Sequence, residues 1–432
     1  MTATPISRAL PLWAGRTMAL LGIVLISINL RTAVSAVSPI VAPISVDIPL
    51  SSFDLGIIGS VPPVAFALAA LFGALVARRV GVERLLLIGI VAMVAGQALR
   101  ALSHNFSTFL LGTVIALAGT GIGNVLVPAL VKRYFPDRLG LITSLYVTLL
   151  SASTAIGAGV AAPVAQVAGW RVSLLVGCGI AFLALAPWVA VVLGHRRERA
   201  RERAHAASGA HPTTALEIPE LELARADITK RIWRSRIGWS IGIVSATSTF
   251  SVYAGIAWLP QMLVDLLGVS RLGAGNLFTL WTLLGVPLAL IVPNIVARIR
   301  NVGIVVYTGI GAFGFGWLGL LVAPRCAPLV WIILIGIGPL LFLVAMTLIG
   351  ARTRSHEAAV ALSGVVQTVG YTFGCLGPLL VGVLHGTFGT WTAPLFLLLA
   401  SVVICSFFVP ALMKPDFVED ELDRRAVAHT AA

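Results

Sequence analysis

Residues 17 to 43 read TMALLGIVLISINLRTAVSAVSPIVAP, an apolar run long enough to cross a bilayer as a helix, which takes about 20 residues. A cleaved signal peptide is the alternative, but Asn29 and Arg31 interrupt the apolar run before a cleavage site. We therefore interpret residues 17 to 43 as the first membrane span. One charged residue, Arg31, lies near its middle.

The composition shows that such runs dominate the chain. Apolar residues make up 58% of the 432 residues and charged residues 11%, against roughly 25% charged in a typical soluble protein. So few charges cannot cover a water-exposed surface, which excludes an ordinary soluble enzyme. The sequence predicts an all-α membrane protein, because hydrocarbon leaves unpaired backbone groups unsatisfied. Twelve transmembrane helices are predicted near 17–43, 55–77, 85–103, 107–131, 140–165, 171–194, 237–259, 273–297, 302–323, 328–351, 358–384 and 391–413.

The basic residues sort to one side of the membrane when the chain is threaded through these spans. Of the 30 lysines and arginines, 25 fall on the side of the N-terminus, four on the other side, and Arg31 stays within a span. The positive-inside rule then places both termini in the cytoplasm. We expect a multi-pass protein of the bacterial inner membrane, in which the net charge of +13 reflects topology rather than a nucleic-acid partner.

The two halves of the chain share short strings on either side of a charged segment. Residues 195 to 236 carry ten bases and six acids. The matched strings, at offsets of 221, 220, 215 and 221 residues, are Pro39 and Pro260, VAR at 76–78 and 296–298, GIG at 121–123 and 336–338, and GW at 169–170 with GTW at 389–391. Four ordered matches indicate a duplicated six-helix unit, as in two-lobed secondary transporters. The predicted divisions are an N-terminal lobe at 1–194, a cytoplasmic linker at 195–236, a C-terminal lobe at 237–413 and a cytoplasmic tail at 414–432.

The string GALVARRVGVER, residues 73 to 84, resembles the loop between helices two and three of the major facilitator superfamily, where glycines and basic residues make a tight cytoplasmic turn. The family's usual acidic residue is replaced here by Ala77 or Arg78, so the resemblance does not extend to the family's gating ion pair. The resemblance implies gating roles for Gly73, Arg78, Arg79 and Gly81. The repeat adds Arg298, the counterpart of Arg78.

A narrower resemblance, to the cyanate and nitroimidazole permeases of that superfamily, rests on strings in both halves. They include NLR at 29–31, GIGNVLVPALVKRYFP at 121–136, AWLP at 257–260 and ALSGVVQTVGY at 361–371. The resemblance implies a secondary transporter that moves a small anionic or polar solute, cyanate-like or nitroimidazole-like, by alternating access. Efflux of a drug or metabolite is the alternative, because the residues do not show a direction.

Arg31 is the leading candidate for a substrate contact. A charge near the middle of a span costs roughly 2.5 to 3.5 kcal/mol by insertion scales unless it faces an interior or a wet cavity. Ser27, Ser35 and Ser38 continue a polar stripe on the same helix face at spacings of three and four. We predict that Arg31 orients the solute, with Asn29 and Ser35 beside it. A brace that bonds helix carbonyls or an amide is the structural alternative.

Polar residues on other spans extend this candidate site. The substrate-binding candidates beyond the first span are Asn124, Tyr146, Ser151, Tyr253, Gln367 and Tyr371. For Asn124, cavity contact and a structural hydrogen bond are both open, and for the others packing with a satisfied hydroxyl is the alternative. Pro128 removes one helix hydrogen bond and is a candidate gating bend.

Several functions lack the residues they require. The histidines and the four cysteines form no ligand-spaced cluster, so we expect neither metal nor cofactor, and no membrane enzyme. No carboxylate lies at mid-depth, so proton coupling has no evident carrier. His385, near the outer end of the eleventh span, is a candidate, and an imidazole hydrogen bond at the membrane interface is the alternative. We expect a monomer whose partners are the lipid bilayer and a small solute.

Overall fold

The computed structural model describes residues 16–206, 231–299 and 301–430. Within these ranges the regular secondary structure is helical, without a strand. Eleven helical segments there are long and apolar enough to cross a membrane, and a twelfth, Thr392–Ser406, is apolar but shorter. The prediction of an all-α membrane protein with twelve spans is therefore confirmed.

The helices that precede the charged linker are called the first lobe, and those that follow it the second lobe. The first lobe contains α1 (Thr17–Ser35), α2 (Val41–Asp47), α3 (Ser52–Val80), α4 (Val82–Ala101), α5 (Phe106–Tyr134), α6 (Leu139–Ala168) and α7 (Trp170–Ala206). The second contains α8 (Arg236–Leu267), α9 (Arg271–Leu283), α10 (Gly285–Arg298), α11 (Gly303–Val322), α12 (Pro328–Ile337), α13 (Leu340–Ala351), α14 (His356–Phe388), α15 (Thr392–Ser406) and α16 (Val418–Thr430).

The first span ends earlier than its sequence predicts. The apolar run continues to residue 43, but α1 stops at Ser35 and a 3-10 turn, Ser38–Ile40, leads into the short helix α2. Pro39 has no N–H to donate to the carbonyl of Ser35, so the helical ladder cannot continue. The break leaves carbonyls of the last α1 turn in need of other donors.

Two spans of the second lobe are interrupted in a similar way. The run predicted at 273–297 consists of α9 and α10, and the run at 328–351 consists of α12 and α13. Pro287 lies in the first turn of α10, and Pro339 directly precedes α13. Proline is tolerated at a helix start, because the N–H it lacks has no partner there.

The duplication inferred from the sequence has a counterpart in the hydrogen bonds. In the first lobe the indole N–H of Trp170, at the start of α7, donates to Asp47 at 2.9 Å. In the second lobe the indole N–H of Trp391, next to α15, donates to Asp265 at 2.9 Å. The two halves therefore anchor their sixth span to the end of their first by the same Asp–Trp contact.

The lobes meet along α3 against α14 and along α6 against α9. α3 and α8 approach closely at Gly59, where an added Cβ would lie 2.7 Å from the Cβ of Ala257. Ser60 donates to the carbonyl of Cys375 at 2.6 Å, and Ser38 donates to the carbonyl of Ala257 at 2.9 Å. All these contacts lie in the half of the spans that contains Ser52 and Gly268.

Two segments differ from the linker and tail that the sequence predicts. Residues 195–206 of the predicted linker continue α7, whereas residues 207–230 lie outside the described part of the chain. The predicted tail forms α16, which packs on the second lobe. Glu421 accepts hydrogen bonds from Ser235 Oγ and from the backbone N–H groups of Arg236 and Ile237.

Candidate functional site: a cavity between the lobes

A cavity of about 780 Å³ lies between the two lobes. We call the face with the α3–α4 turn at Gly81 the basic face, and the face with the α6–α7 turn at Gly169 the opposite face. The cavity reaches toward the basic face at Thr143, Asn294 and Thr347, which lie near helix ends on that side. The interlobe contacts of Ser38 and Ser60 close the opposite side. The structure is therefore open to the basic face.

Arg31 lies at the closed end of this cavity. Its Nη1 donates to the hydroxyl of Tyr253 at 3.1 Å, and its Cζ lies 5.2 Å from the centre of the Phe66 ring. Within the described residues this is the one hydrogen bond that the guanidinium makes, and no carboxylate lies within ion-pair distance. Aromatic groups thus hold a cation whose charge no acid of the described chain neutralises.

Tyrosines from three helices surround the guanidinium. Tyr146 from α6, Tyr253 from α8 and Tyr371 from α14 line the cavity together with Arg31. Tyr371 packs edge-on against Phe66, with ring centres 6.2 Å apart. The structure therefore brings together four of the predicted substrate-binding residues.

Two predicted neighbours of Arg31 do not line the cavity. The amide of Asn29 donates to the carbonyl of Gly177 at 2.9 Å and faces Gln97 at 3.4 Å, so it joins α1 to α4 and α7. Ser35 is fully buried and donates to the carbonyl of Arg31. Serine in a helix commonly bonds the carbonyl one turn back, and such a hydroxyl is then not directed into the cavity.

The remaining substrate candidates have separate positions. Gln367 donates to Ser363 on its own helix at 2.8 Å and is not among the residues that line the cavity. Asn124 does not line it either, and its amide nitrogen is buried without a hydrogen-bond partner in the described part of the chain. The side chain of Ser151 lies outside the described residues.

The predicted gating residues lie on the basic face. Gly81 joins α3 to α4 with a φ of 94°, a conformation that L side chains rarely adopt. Arg79 and Arg298 are exposed, and neither has an ion pair within the described residues, while the side chain of Arg78 lies outside them. Gly73 is buried, and a Cβ added there would lie 3.5 Å from Cγ1 of Val125.

Pro128 does not end its helix, because α5 continues from Phe106 to Tyr134. One acid at this end of the first lobe is Glu83, which the sequence did not single out. It pairs with Arg133 at 2.8 Å and accepts from the Tyr134 hydroxyl at 3.2 Å. These contacts join the start of α4 to the end of α5.

Sequence reasoning missed other residues that line or border the site. Phe66 lies against Arg31, and Trp281 lines the same cavity as Arg31. Ser248 carries a buried hydroxyl without a partner in the described chain. Phe66 and Trp281 lie in apolar runs, where an aromatic residue is ordinary. The polar run 245–251 on α8 was the available signal for Ser248.

A family model of the Major Facilitator Superfamily matches residues 20–378. The chain belongs to the major facilitator superfamily. Its relatives include the "Uncharacterized transporter YycB" of Bacillus subtilis, 30% identical over 89% of this chain and 90% of that protein. The "2-nitroimidazole transporter" of Escherichia coli is 31% identical over 88% of this chain and 91% of the relative, and the "Cyanate transport protein CynX" of Escherichia coli is 26% identical over 86% and 91%.

Solved structures of the superfamily share the fold at low sequence identity. A bacterial homologue of the lysosomal transporter Spinster, solved in an inward-facing and unoccupied conformation, has a TM-score of 0.70 and 15% identity, covering 94% of this chain and 99% of that one. A POT family transporter has a TM-score of 0.71 and 11% identity, covering 93% and 98%. The family and these relatives are transporters, which confirms the prediction that the chain is a transporter and not an enzyme.

Proposed function

We propose that this superfamily member moves a small anionic or polar solute, cyanate-like or nitroimidazole-like, with Arg31 as the cation that orients it. The observation that carries the proposal is the position of Arg31 at the closed end of the interlobe cavity, without an acid partner in the described chain. Relatives named for 2-nitroimidazole and cyanate support the solute class.

The chemistry of the guanidinium favours this class of solute. Its planar set of donors matches the oxygens of a nitro group or the ends of a small anion better than an ammonium group would. Hydrogen bonds that involve a charged group contribute about 1.5 to 3 kcal/mol each. An anion that binds here also relieves the cost of a cation held away from bulk water.

The contact between Arg31 and Tyr253 gives the solute a way to act on both lobes. Arg31 belongs to the first lobe and Tyr253 to the second, so their hydrogen bond crosses the interface along which the lobes part. A solute bound to Arg31 competes with the tyrosine hydroxyl or accepts from it. Binding therefore changes an interlobe contact, which alternating access requires.

The aromatic surface extends the solute class to flat rings. Phe66, Tyr371 and Trp281 lie near or on the wall of the cavity. Offset stacking or edge contacts with such rings contribute about 0.5 to 1.5 kcal/mol beyond burial. A nitroimidazole-like solute would place its nitro group on Arg31 and its ring among these residues.

Efflux of a drug or metabolite is the second candidate function. A cavity of about 780 Å³ falls in the range of roughly 300 to 1,000 Å³ that drug-sized ligands occupy. Under the positive-inside rule the basic face is cytoplasmic, so the open cavity would load from the cytoplasm of a bacterial inner membrane. We expect a monomer with both termini on that side.

Flux measurements in proteoliposomes test the proposal. Purified protein should exchange labelled cyanate or 2-nitroimidazole for the same unlabelled solute, with saturation, while empty vesicles should not. No carboxylate is among the cavity-lining residues of the described chain, so we expect accumulation to be independent of an imposed pH gradient. Absence of saturable exchange for every small anion and nitroaromatic tested would exclude the proposed solute class.

A further inference from the structure

A second arginine of the first lobe is buried more completely than Arg31. Arg100, in the last turn of α4, is 1% exposed and is among the largest fully buried side chains. The sequence prediction counts it among the four basic residues on the opposite face, near the end of the span at 85–103. Burial of a charge is unfavourable unless the charge is paired or hydrogen-bonded, so its contacts need an explanation.

One part of the Arg100 guanidinium has a structural role. Its Nη1 donates to the carbonyl of Ala33 at 3.0 Å, in the turn of α1 that ends before Pro39. Basic side chains stabilise carbonyls of this kind at helix ends. The guanidinium also lies 5.4 Å from the centre of the Phe109 ring.

The other part of the guanidinium is not satisfied. Its Nε is buried without a hydrogen-bond partner in the described chain, and no acid within those residues forms an ion pair with Arg100. A carbonyl brace accounts for one donor but neither neutralises the charge nor uses Nε. The site therefore lacks an acceptor, which is what an anion supplies.

A small cavity borders Arg100 between the large interlobe cavity and the opposite face, and we call the line through both cavities the transport path. It has a volume of about 30 Å³ and includes Thr113, Ser38 and Ile256 in its wall. Ile256 also lines the large cavity that holds Arg31, so the two spaces are separated at this side chain. The interlobe hydrogen bond of Ser38 to Ala257 borders the same space.

We propose that Arg100 is a second anion-binding residue, which holds the small anion on the opposite-face half of the path before or after Arg31 binds it. The proposal rests on the proposed function in that Arg31 is the other binding residue. In the present conformation the space holds about one or two water molecules. When the lobes part on the opposite face and the contact of Ser38 with Ala257 opens, this space widens toward Arg100.

The electrostatic effect of the Arg100 charge on a neighbouring thiol can be measured without a transport assay. Thr113 shares the wall of the small cavity, so Thr113→Cys, in a variant whose four native cysteines are replaced by alanine, places a thiol there. The rates of modification by an anionic and a cationic methanethiosulfonate are measured on purified protein, each relative to a small free thiol. We expect the anionic reagent to be favoured about tenfold, since a unit charge a few ångströms away acts strongly in a partly buried site. Nitrate, as the probe anion, should slow both reactions.

Variants assign that preference to one arginine. Arg100→Gln should remove it, Arg100→Lys should keep it, and Arg31→Gln should keep it while exchange in vesicles falls. A preference that survives Arg100→Gln, or one lost with Arg31→Gln, would overturn the proposal for Arg100. If Arg31→Gln reduces exchange but keeps the preference for the anionic reagent, the result tests the role of Arg31 and leaves that of Arg100 unchanged.

A second reporter protects the test against a damaged protein. Ser38→Cys lies on another wall of the same cavity, and it should show the same preference and the same dependence on Arg100. If neither thiol reacts although both proteins elute as single species, this side of the path does not open, and the proposal fails.

Discussion

The two lobes share a frame but carry different chemistry at its centre. Each anchors its sixth span to its first through an indole–aspartate hydrogen bond, Trp170 to Asp47 and Trp391 to Asp265. Near the pseudo-equivalent positions of their first spans, however, the first lobe has Arg31 and the second has Tyr253. The two lobes thus share the anchor, while at the centre the first lobe carries a cation and the second a neutral phenol.

The lobes also differ in how their ends on the basic face are held. In the second lobe, α16 supplies Glu421 to the start of α8 and Glu419 to the start of α14. In the described part of the first lobe, Glu83 is instead held between Arg133 and Tyr134. Acids at helix starts are favourable because the N–H groups there lack partners. We therefore expect substitutions at the centre of the lobes to reduce transport, and substitutions in α16 to reduce stability.

Removal of the cation should have the largest effect. Arg31→Gln deletes the charge at the centre of the cavity, and loss of one or more charged hydrogen bonds of about 1.5 to 3 kcal/mol corresponds to a roughly 10- to 100-fold fall in kcat/KM for solute exchange. Arg271→Gln, at an exposed arginine on the opposite face, is the matched control and should retain wild-type exchange. Wild-type kinetics in the Arg31 variant, with normal protein yield, would show that the lobes do not differ in this way.

Removal of the phenol should have a smaller effect. Tyr253→Phe deletes the interlobe hydrogen bond of 3.1 Å but keeps the ring. A net contribution of about 0.5 to 1.5 kcal/mol corresponds to a roughly two- to tenfold change in exchange rate or affinity. Tyr146→Phe removes another cavity hydroxyl, which makes no hydrogen bond to Arg31 among the described residues. Exchange assays on both variants should show the larger change for Tyr253→Phe.

Weakening the α16 contact should change stability. Glu421→Gln removes a negative charge that accepts from Ser235 and from two N–H groups at the start of α8. Lost caps typically cost about 0.5 to 2 kcal/mol, so thermal unfolding in detergent should shift to lower temperature. Asp423→Asn breaks the exposed ion pair to Arg231 and should change Tm less. An equal shift in the two variants would argue against a capping role for Glu421.

The smallest expected effect separates the two anchors by pH. The Trp170 indole, followed by Arg171, lowers the pKa of Asp47 below its usual value of about 3.9. The ionised carboxylate therefore stabilises the fold above this pH, and its contribution is lost as the pH falls through the lowered pKa. The Tm difference between wild type and Asp47→Asn should be constant above about pH 5 and should shrink below about pH 4.

The second lobe supplies the comparison for this measurement. Thr392 follows its anchoring tryptophan, where the first lobe has Arg171. Asp265 accepts hydrogen bonds from Trp391 and Gln261 but has no ion pair among the described residues, so Asp265→Asn should lower Tm less than Asp47→Asn at neutral pH. A larger loss in the second lobe would contradict this order.

The sequence predicted the frame well, because hydropathy and repeated strings reflect constraints that act along the chain. Twelve apolar runs, and the GW and GTW strings at the start of the sixth and twelfth spans, correspond to observed helices and to the Asp–Trp anchors. The end of α1 at Ser35 was missed although Pro39 was visible, because an apolar run does not show where its helix breaks.

The site was only partly predictable, because contacts between helices decide which polar residue faces the cavity. Asn29 and Arg31 lie two positions apart, yet one amide bonds Gly177 and the other side chain reaches Tyr253. Arg100 was counted among the basic residues on the opposite face, and only the packing of α4 against its neighbours shows it to be buried. Helical periodicity defines faces, but not which neighbour each face meets.

The central claim is that Arg31 binds the solute at the interface of the lobes, and equilibrium binding tests it most directly. Labelled cyanate and 2-nitroimidazole are titrated onto purified wild type, Arg31→Gln and the Arg271→Gln control at one ionic strength. We predict saturable binding of at least one solute to wild type and the control, weakened about tenfold or more in Arg31→Gln. Equal affinity of all three proteins for that solute would contradict the claim.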